Sequence, residues 1–120
     1  MKTLLTAVML LFISTTAHVP MPLEVEYAED GIIVIEFNAS FNASNSVSWV
    51  KELSDCQGKR IDIGNNPLMQ KTHKIVVVPT IIVFKEREEV KRFQANILMQ
   101  MEATQQDVQE AVDGILMSSF

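Results

Sequence analysis

Residues 32–46 read IIVIEFNASFNASNS, and the fold turns on how this stretch is parsed. The β-branched run at 32–37 is nearly continuous. It marks a strand covered on both faces, and therefore central in its sheet, rather than one alternating between core and water. The word FNAS then occurs twice running, at 37–40 and 41–44, after which Val47, Val50 and Leu53 recur near helical spacing. That spacing predicts a helix from Asn45 to Leu53 with Ser44 capping its start. The duplication therefore joins a buried strand to a helix, which is not the place of a flexible linker.

Working downstream, KRIDI at 59–63 reads as a short strand. NNP at 65–67 places a proline in the first turn of a short helix continued by LMQKTH. VVVPTIIVFKEREEVKRFQ at 76–94 supplies two strands, near 79–85 and 89–94, joined by the polar Glu86-Arg87-Glu88 turn and so antiparallel. Met99 and Met101 read as a connector packing on the core. Thr104 and Asp107 form a capping-box pattern ahead of Val108, Ala111, Val112, Ile115 and Leu116, the apolar stripe of a closing helix. Upstream, Leu23, Val25 and Tyr27 alternate with Glu24 and Glu26 as in a half-exposed strand. The order β, β, α, β, α, β, β, α predicts an α/β fold: a mixed central sheet of four to five strands flanked by helices on both faces.

The first residues, MKTLLTAVMLLFISTTAH, put Lys2 before an apolar run from Leu4 to Ile13 that is too short to span a bilayer. Thr15 and Ala17 suit a cleavage site. Residues 1–17 are thus expected to be a signal peptide and 18–120 a single domain, secreted or periplasmic, with no stable membrane insertion after cleavage. Lys2 is the only charged residue of that segment, so its removal takes the net charge from −5 to about −6. The basic pairs Lys59-Arg60 and Lys91-Arg92 stand isolated among carboxylates, which argues against nucleic acid or an anionic membrane as partner. Cys56 is the single cysteine. It forms no internal bridge, so the apolar core must carry stability, and a Cys56-linked dimer is the thiol's remaining structural use.

With these elements in place, IIVIEFNASFNASNS, RIDIGNNP and KIVVVPTIIVFKEREEVKRF resemble three signatures of the thioredoxin family in order and spacing, over about residues 22–118. The resemblance implies a thioredoxin-like fold. It matches Phe37 and Ala39 to the end of the central strand, Phe41 to the aromatic before the first redox cysteine, and Pro79 to a cis-proline. Asn42 and Asn45 then fall where the family keeps its two cysteines, with Ala43 and Ser44 between them. Asn38, Glu36 and Ala95 also depart from the usual residues. Family chemistry needs a thiolate at a helix N-terminus and a second thiol to resolve the mixed disulfide, and an amide does neither.

The resemblance therefore implies the fold without the dithiol activity. The expected function is a non-catalytic module that binds protein or extended peptide segments by backbone pairing in a groove of Phe41, Ala43, Ser44, Val78 and Pro79. The alternative is a thiol-disulfide oxidoreductase of redox homeostasis using Cys56 or a partner thiol. Glu36 is the odd residue of its strand: either a buried acid, which the resemblance makes a relic of proton transfer to a dithiol, or a partly solvated one paired with a lysine such as Lys59 or Lys85. Asn38 and Asn42 each begin an Asn-x-Ser sequon, with Asn42 the better glycan acceptor. His18, His73 and Cys56 have no metal-ligand spacing, and an N-terminal His18 holding copper is the one weak idea. No cofactor is expected. Neither a Ser-His-Asp arrangement, a glycine-rich phosphate loop nor a catalytic carboxylate pair is present.

Overall fold

The computed structural model describes residues 31–118. The expected signal peptide at 1–17, His18 and the strand expected around Leu23–Tyr27 lie outside the described residues. Within them the order is strand β1 (Ile32–Asn38), two short 3-10 segments (Ser40–Asn45 and Val50–Glu52), strand β2 (Gln57–Asp62), helix α1 (Pro67–Thr72), strands β3 (Thr80–Lys85) and β4 (Glu88–Gln94), and helix α2 (Gln105–Ser118). The four strands form one sheet in the order β2-β1-β3-β4. β1 runs parallel to β2 and antiparallel to β3, and β3 and β4 form a hairpin. This is the mixed sheet expected from the sequence.

All seven residues of β1 are buried, as its β-branched run requires. Ile33, Ile35 and Phe37 point to one face, where they pack with Ile82, Phe84, Ile63, Ile75 and Val78. Ile32 and Val34 point to the other, against Val47, Val50, Leu53 and the apolar stripe Val108, Val112 and Ile115 of α2. The period of two in β1 thus divides the core into two layers. α1 closes the first layer through the half-buried Met69, and α2 closes the second.

Local chemistry explains the hairpin and the last helix. Glu86 and Arg87 both take positive φ, 51° and 71°, the backbone of a two-residue turn whose twist matches the strands it joins. Thr104 and Asp107 make a reciprocal cap. The Thr104 N–H donates to the Asp107 carboxylate at 2.8 Å and the Asp107 N–H to the Thr104 hydroxyl at 3.2 Å. Gln109 on α2 then donates to the Ser54 carbonyl and accepts from its N–H, at 3.0 and 2.8 Å, fixing the helix to the crossover between β1 and β2.

The helix expected over Asn45–Leu53 does not form, and Ser44 caps nothing. The two 3-10 segments stand in its place, and the first has a kink at Asn42 (φ −112°, ψ 19°). The reason lies across the sheet. The Val47 N–H donates to the Glu36 carboxylate at 2.7 Å, and the Val47 carbonyl accepts from the Arg60 guanidinium. Both backbone groups that a helix would have used are taken by side chains of β1 and β2. β2 also passes so close to the second 3-10 segment that a Cβ on Gly58 would collide with the Val50 carbonyl.

Candidate functional site

β1 ends at Asn38, and the kinked turn that follows carries both positions at which the resemblance puts cysteines. Asn42 is 3 % exposed, and its amide holds three loops together. Nδ2 lies 3.2 Å from Asn38 Oδ1, 3.3 Å from the Val78 carbonyl and 3.1 Å from the Met99 carbonyl. Two protons serve three acceptors. Asn42 Oδ1 in turn accepts from Asn45 Nδ2 at 2.7 Å, so the two positions are joined by a hydrogen bond between amides. Asn38 completes the cluster, donating from Nδ2 to the Asn42 carbonyl and to the Ser46 hydroxyl. A neutral amide supplies the donor and the acceptor that such a buried cluster needs, without the cost of burying a charge.

This clasp corrects the glycan expectation. Both Asn38 and Asn42 are buried with their amide nitrogens engaged, so neither presents an acceptor nitrogen in the folded domain.

The Val78–Pro79 peptide is cis. Both side chains are buried, Val78 within the layer of Phe37 and Ile75, so they do not line an apolar groove with their side chains as expected. What this segment offers is backbone: among the described residues the N–H groups of Val76, Val77 and Val78 donate no hydrogen bond. The apolar surface around it comes from Phe41, 77 % exposed, and from Val76, Leu98, Met99 and Ile97, the last 99 % exposed. Ala43 and Ser44 are exposed on the same turn as Phe41. The Asn42 bonds to the Val78 and Met99 carbonyls bring these three segments together. The last of them was missed, because Met99 reads as core packing in the sequence. Its signal was the unbroken apolar triplet Ile97-Leu98-Met99 inside an otherwise polar connector.

Glu36 is fully buried at 1 % exposure, not partly solvated, and its partner is neither Lys59 nor Lys85. The parallel register puts Glu36 opposite Arg60. Arg60 Nε donates to Oε1 at 2.9 Å, and Oε2 takes the Val47 N–H. With both oxygens engaged, the acid is structural in this setting. Beside the pair an open crevice of about 380 Å3 is lined by Glu36, Ser40, Ser46, Arg60 and Asp62 among others. The Ser40 hydroxyl, and after it the Gly64 N–H, hold the Asp62 carboxyl below its ordinary range.

Cys56 precedes β2, whose start pairs with the beginning of β1, so it sits at the opposite end of the sheet from Asn42. Burial first, then the carboxylates of Asp55 and Asp113, push its thiol up to about 11. A thiol so placed stays protonated near neutral pH and is a poor nucleophile. Nor does an α-helix begin at Asn42, so the partial positive charge that lowers a thiol pKa there is absent from this turn. Among the described residues no group of three His, Cys, Asp or Glu side chains converges to hold a metal ion.

Solved structures similar to this chain include several thioredoxins. A thioredoxin variant from Halobacterium salinarum shares 16 % identity at a TM-score of 0.56, covering 72 % of this chain and 75 % of that one. Fasciola hepatica thioredoxin shares 20 % at 0.52, covering 71 % and 81 %, and a poplar thioredoxin h mutant 14 % at 0.57, covering 75 % and 69 %. No protein-family model and no curated protein matches the chain. At these identities the likeness shows the thioredoxin fold.

Proposed function

We propose that this domain is an exported, redox-inactive thioredoxin-fold module that binds extended protein segments along residues 76–78. The observation that carries the reading is the coincidence of two features at one place. An amide clasp occupies the positions where the resemblance puts a dithiol, and unpaired backbone donors lie beside an exposed apolar rim. An extended ligand accepts from the N–H groups of residues 76–78 and lays alternate side chains on Phe41, Val76 and Leu98, which is strand addition and requires no thiol. Because Asn42 already donates to the Val78 carbonyl, recognition leans on the protein's donors more than on its acceptors. Export rests on the Leu4–Ile13 run and the Thr15/Ala17 site, and N-terminal sequencing of the secreted chain tests it.

The rival, an oxidoreductase built on Cys56, has the protonated thiol and its distant position against it. Two assays separate them. Linear peptides selected from a displayed random library should bind the wild type and lose at least tenfold in affinity on Phe41→Ala or Leu98→Asp. Insulin reduction should stay at background. Turnover that disappears on Cys56→Ser, or selected peptides indifferent to both rim substitutions, would sink the binding reading.

A further inference from the structure

The strip 74–78 hangs between two clasps. Asn42 holds its end through the Val78 carbonyl. Its start is held by Arg92 on β4, which donates to the His73 carbonyl at 2.6 Å and the Lys74 carbonyl at 3.0 Å while paired to Glu89 at 2.7 Å. His73 closes α1, and Lys74 follows it at φ 52°. His73 is 6 % exposed, its ring between Phe37 and Phe84 with ring centroids 5.5 and 5.4 Å away. Its Nε2 is the one buried side-chain nitrogen or oxygen among the described residues without a hydrogen-bond partner.

We propose that His73 is a proton-sensitive latch on the docking strip: protonation of its ring expels it from between Phe37 and Phe84, releases the Arg92 clasp and loosens residues 74–78. The neutral ring tolerates its orphaned Nε2 because that atom then needs only to be an unfilled acceptor. Protonated, it becomes a buried charged donor with nothing to receive it. The surrounding groups do not rescue the cation. β1 and β3 set the aromatic rings of Phe37 and Phe84 against it. β4 brings the Arg92 cation and Glu89, whose carboxylate is already spent on Arg92. The local segment adds only Lys71 and Lys74. Contact with two aromatic rings offsets part of the cost, but less than a lost charge-assisted bond.

Burial, and secondarily Arg92, hold the His73 pKa below its ordinary value. The sign follows. A ring that titrates near 6.5 when released, and lower when seated, favours the seated state above pH 6.5 and progressively disfavours it as pH falls through that value. From about pH 8 to about pH 5 the released state gains, by at most roughly 30-fold, the limit set by a released ring that titrates near 6.5.

The latch rests on the proposed docking role only for its consequence, not for its mechanism. Hydrogen-exchange protection of the Lys74 and Ile75 amides, which donate to the Lys71 and Gln70 carbonyls, corrected for the intrinsic pH dependence of exchange, should fall from about pH 8 to about pH 5 in the full chain, by at most roughly 30-fold. In His73→Phe it should stay level. Equal protection at both pH values in the wild type, or an equal fall in His73→Phe, overturns the latch. If that variant does not fold, the wild-type ring resonances decide: a His73 midpoint at or above 6.5 also overturns it. Peptides selected at neutral pH should dissociate on acidification from the wild type alone. If no peptide binds at either pH while protection still falls, the docking role is wrong and the latch stands.

Discussion

Asn42→Asp alters one atom's chemistry and almost nothing of its shape. In the native clasp Nδ2 faces three oxygens at 3.1–3.3 Å, and in the variant an oxygen faces them instead. The two protons of the amide are lost, at a net cost of about 0.5–1.5 kcal/mol for each bond. A carboxylate is also buried against three acceptors, which raises the total to about 3–5 kcal/mol at neutral pH. Asn42→Ala loses the bonds and leaves the Val78 and Met99 carbonyls orphaned, but buries no charge, so it costs about 2–3 kcal/mol. The two variants diverge with pH. The aspartic acid carries a raised pKa in the folded state, because only its protonated form donates to these carbonyls. Its stability is therefore recovered as pH falls through that raised pKa toward about 3.9, the unfolded value, whereas the alanine variant recovers nothing. Urea denaturation near pH 7 and near pH 4.5 measures this. With a slope of about 1–3 kcal/mol per molar, the Asp variant should lose more than about 1 M in midpoint at neutral pH and less at the acidic one. An Asp variant within about 0.5 kcal/mol of wild type at neutral pH, or a penalty equal at both pH values, would refute the clasp as the force that seats the three loops.

Five further variants have expected outcomes. Arg60→Leu leaves the Glu36 carboxylate buried with only the Val47 N–H, and should cost about 2–3 kcal/mol by chemical denaturation. Glu36→Leu should cost less, since the Arg60 side chain is already 40 % exposed and turns to water. Gly58→Ala drives a methyl into the Val50 carbonyl, so it should destabilise by more than about 2 kcal/mol, visible as a lowered Tm. Thr104→Ala removes one half of the α2 cap and should cost about 1 kcal/mol in the same assay. Placing sulfur here with Asn42→Cys/Asn45→Cys should give thiols that react with a disulfide reagent only at the rate of an ordinary exposed or buried thiol, because no α-helix begins at this turn. A thiol titrating well below 8 would contradict that.

The sheet was legible in the sequence to a large extent. The continuous apolar run of β1, the hairpin around Glu86 and Arg87 and the reciprocal cap of α2 depend on residues within a few positions of one another, and each formed where the pattern put it. The site was legible only in part. Asn42, Asn45, Phe41 and the strip before Pro79 were found through the resemblance. Their roles were not, because burial decides whether an asparagine is a glycan acceptor or an internal donor. Ile97 and Leu98 escaped notice because exposure of an apolar connector leaves no mark on its composition.

Periodicity along the chain already carried the extended segments and the closing helix, and residue identity showed that positions 42 and 45 hold no dithiol. Where polar groups separated along the chain come to rest depended instead on how the strands pair. Arg60 stands 24 residues from Glu36, yet parallel pairing of β1 and β2 sets them side by side, and together they draw off both backbone groups of Val47. A helical pattern at 45–53 was present but lost to that competition. Helix propensity is worth tenths of a kcal/mol per residue, whereas a buried carboxylate left without its partners costs several.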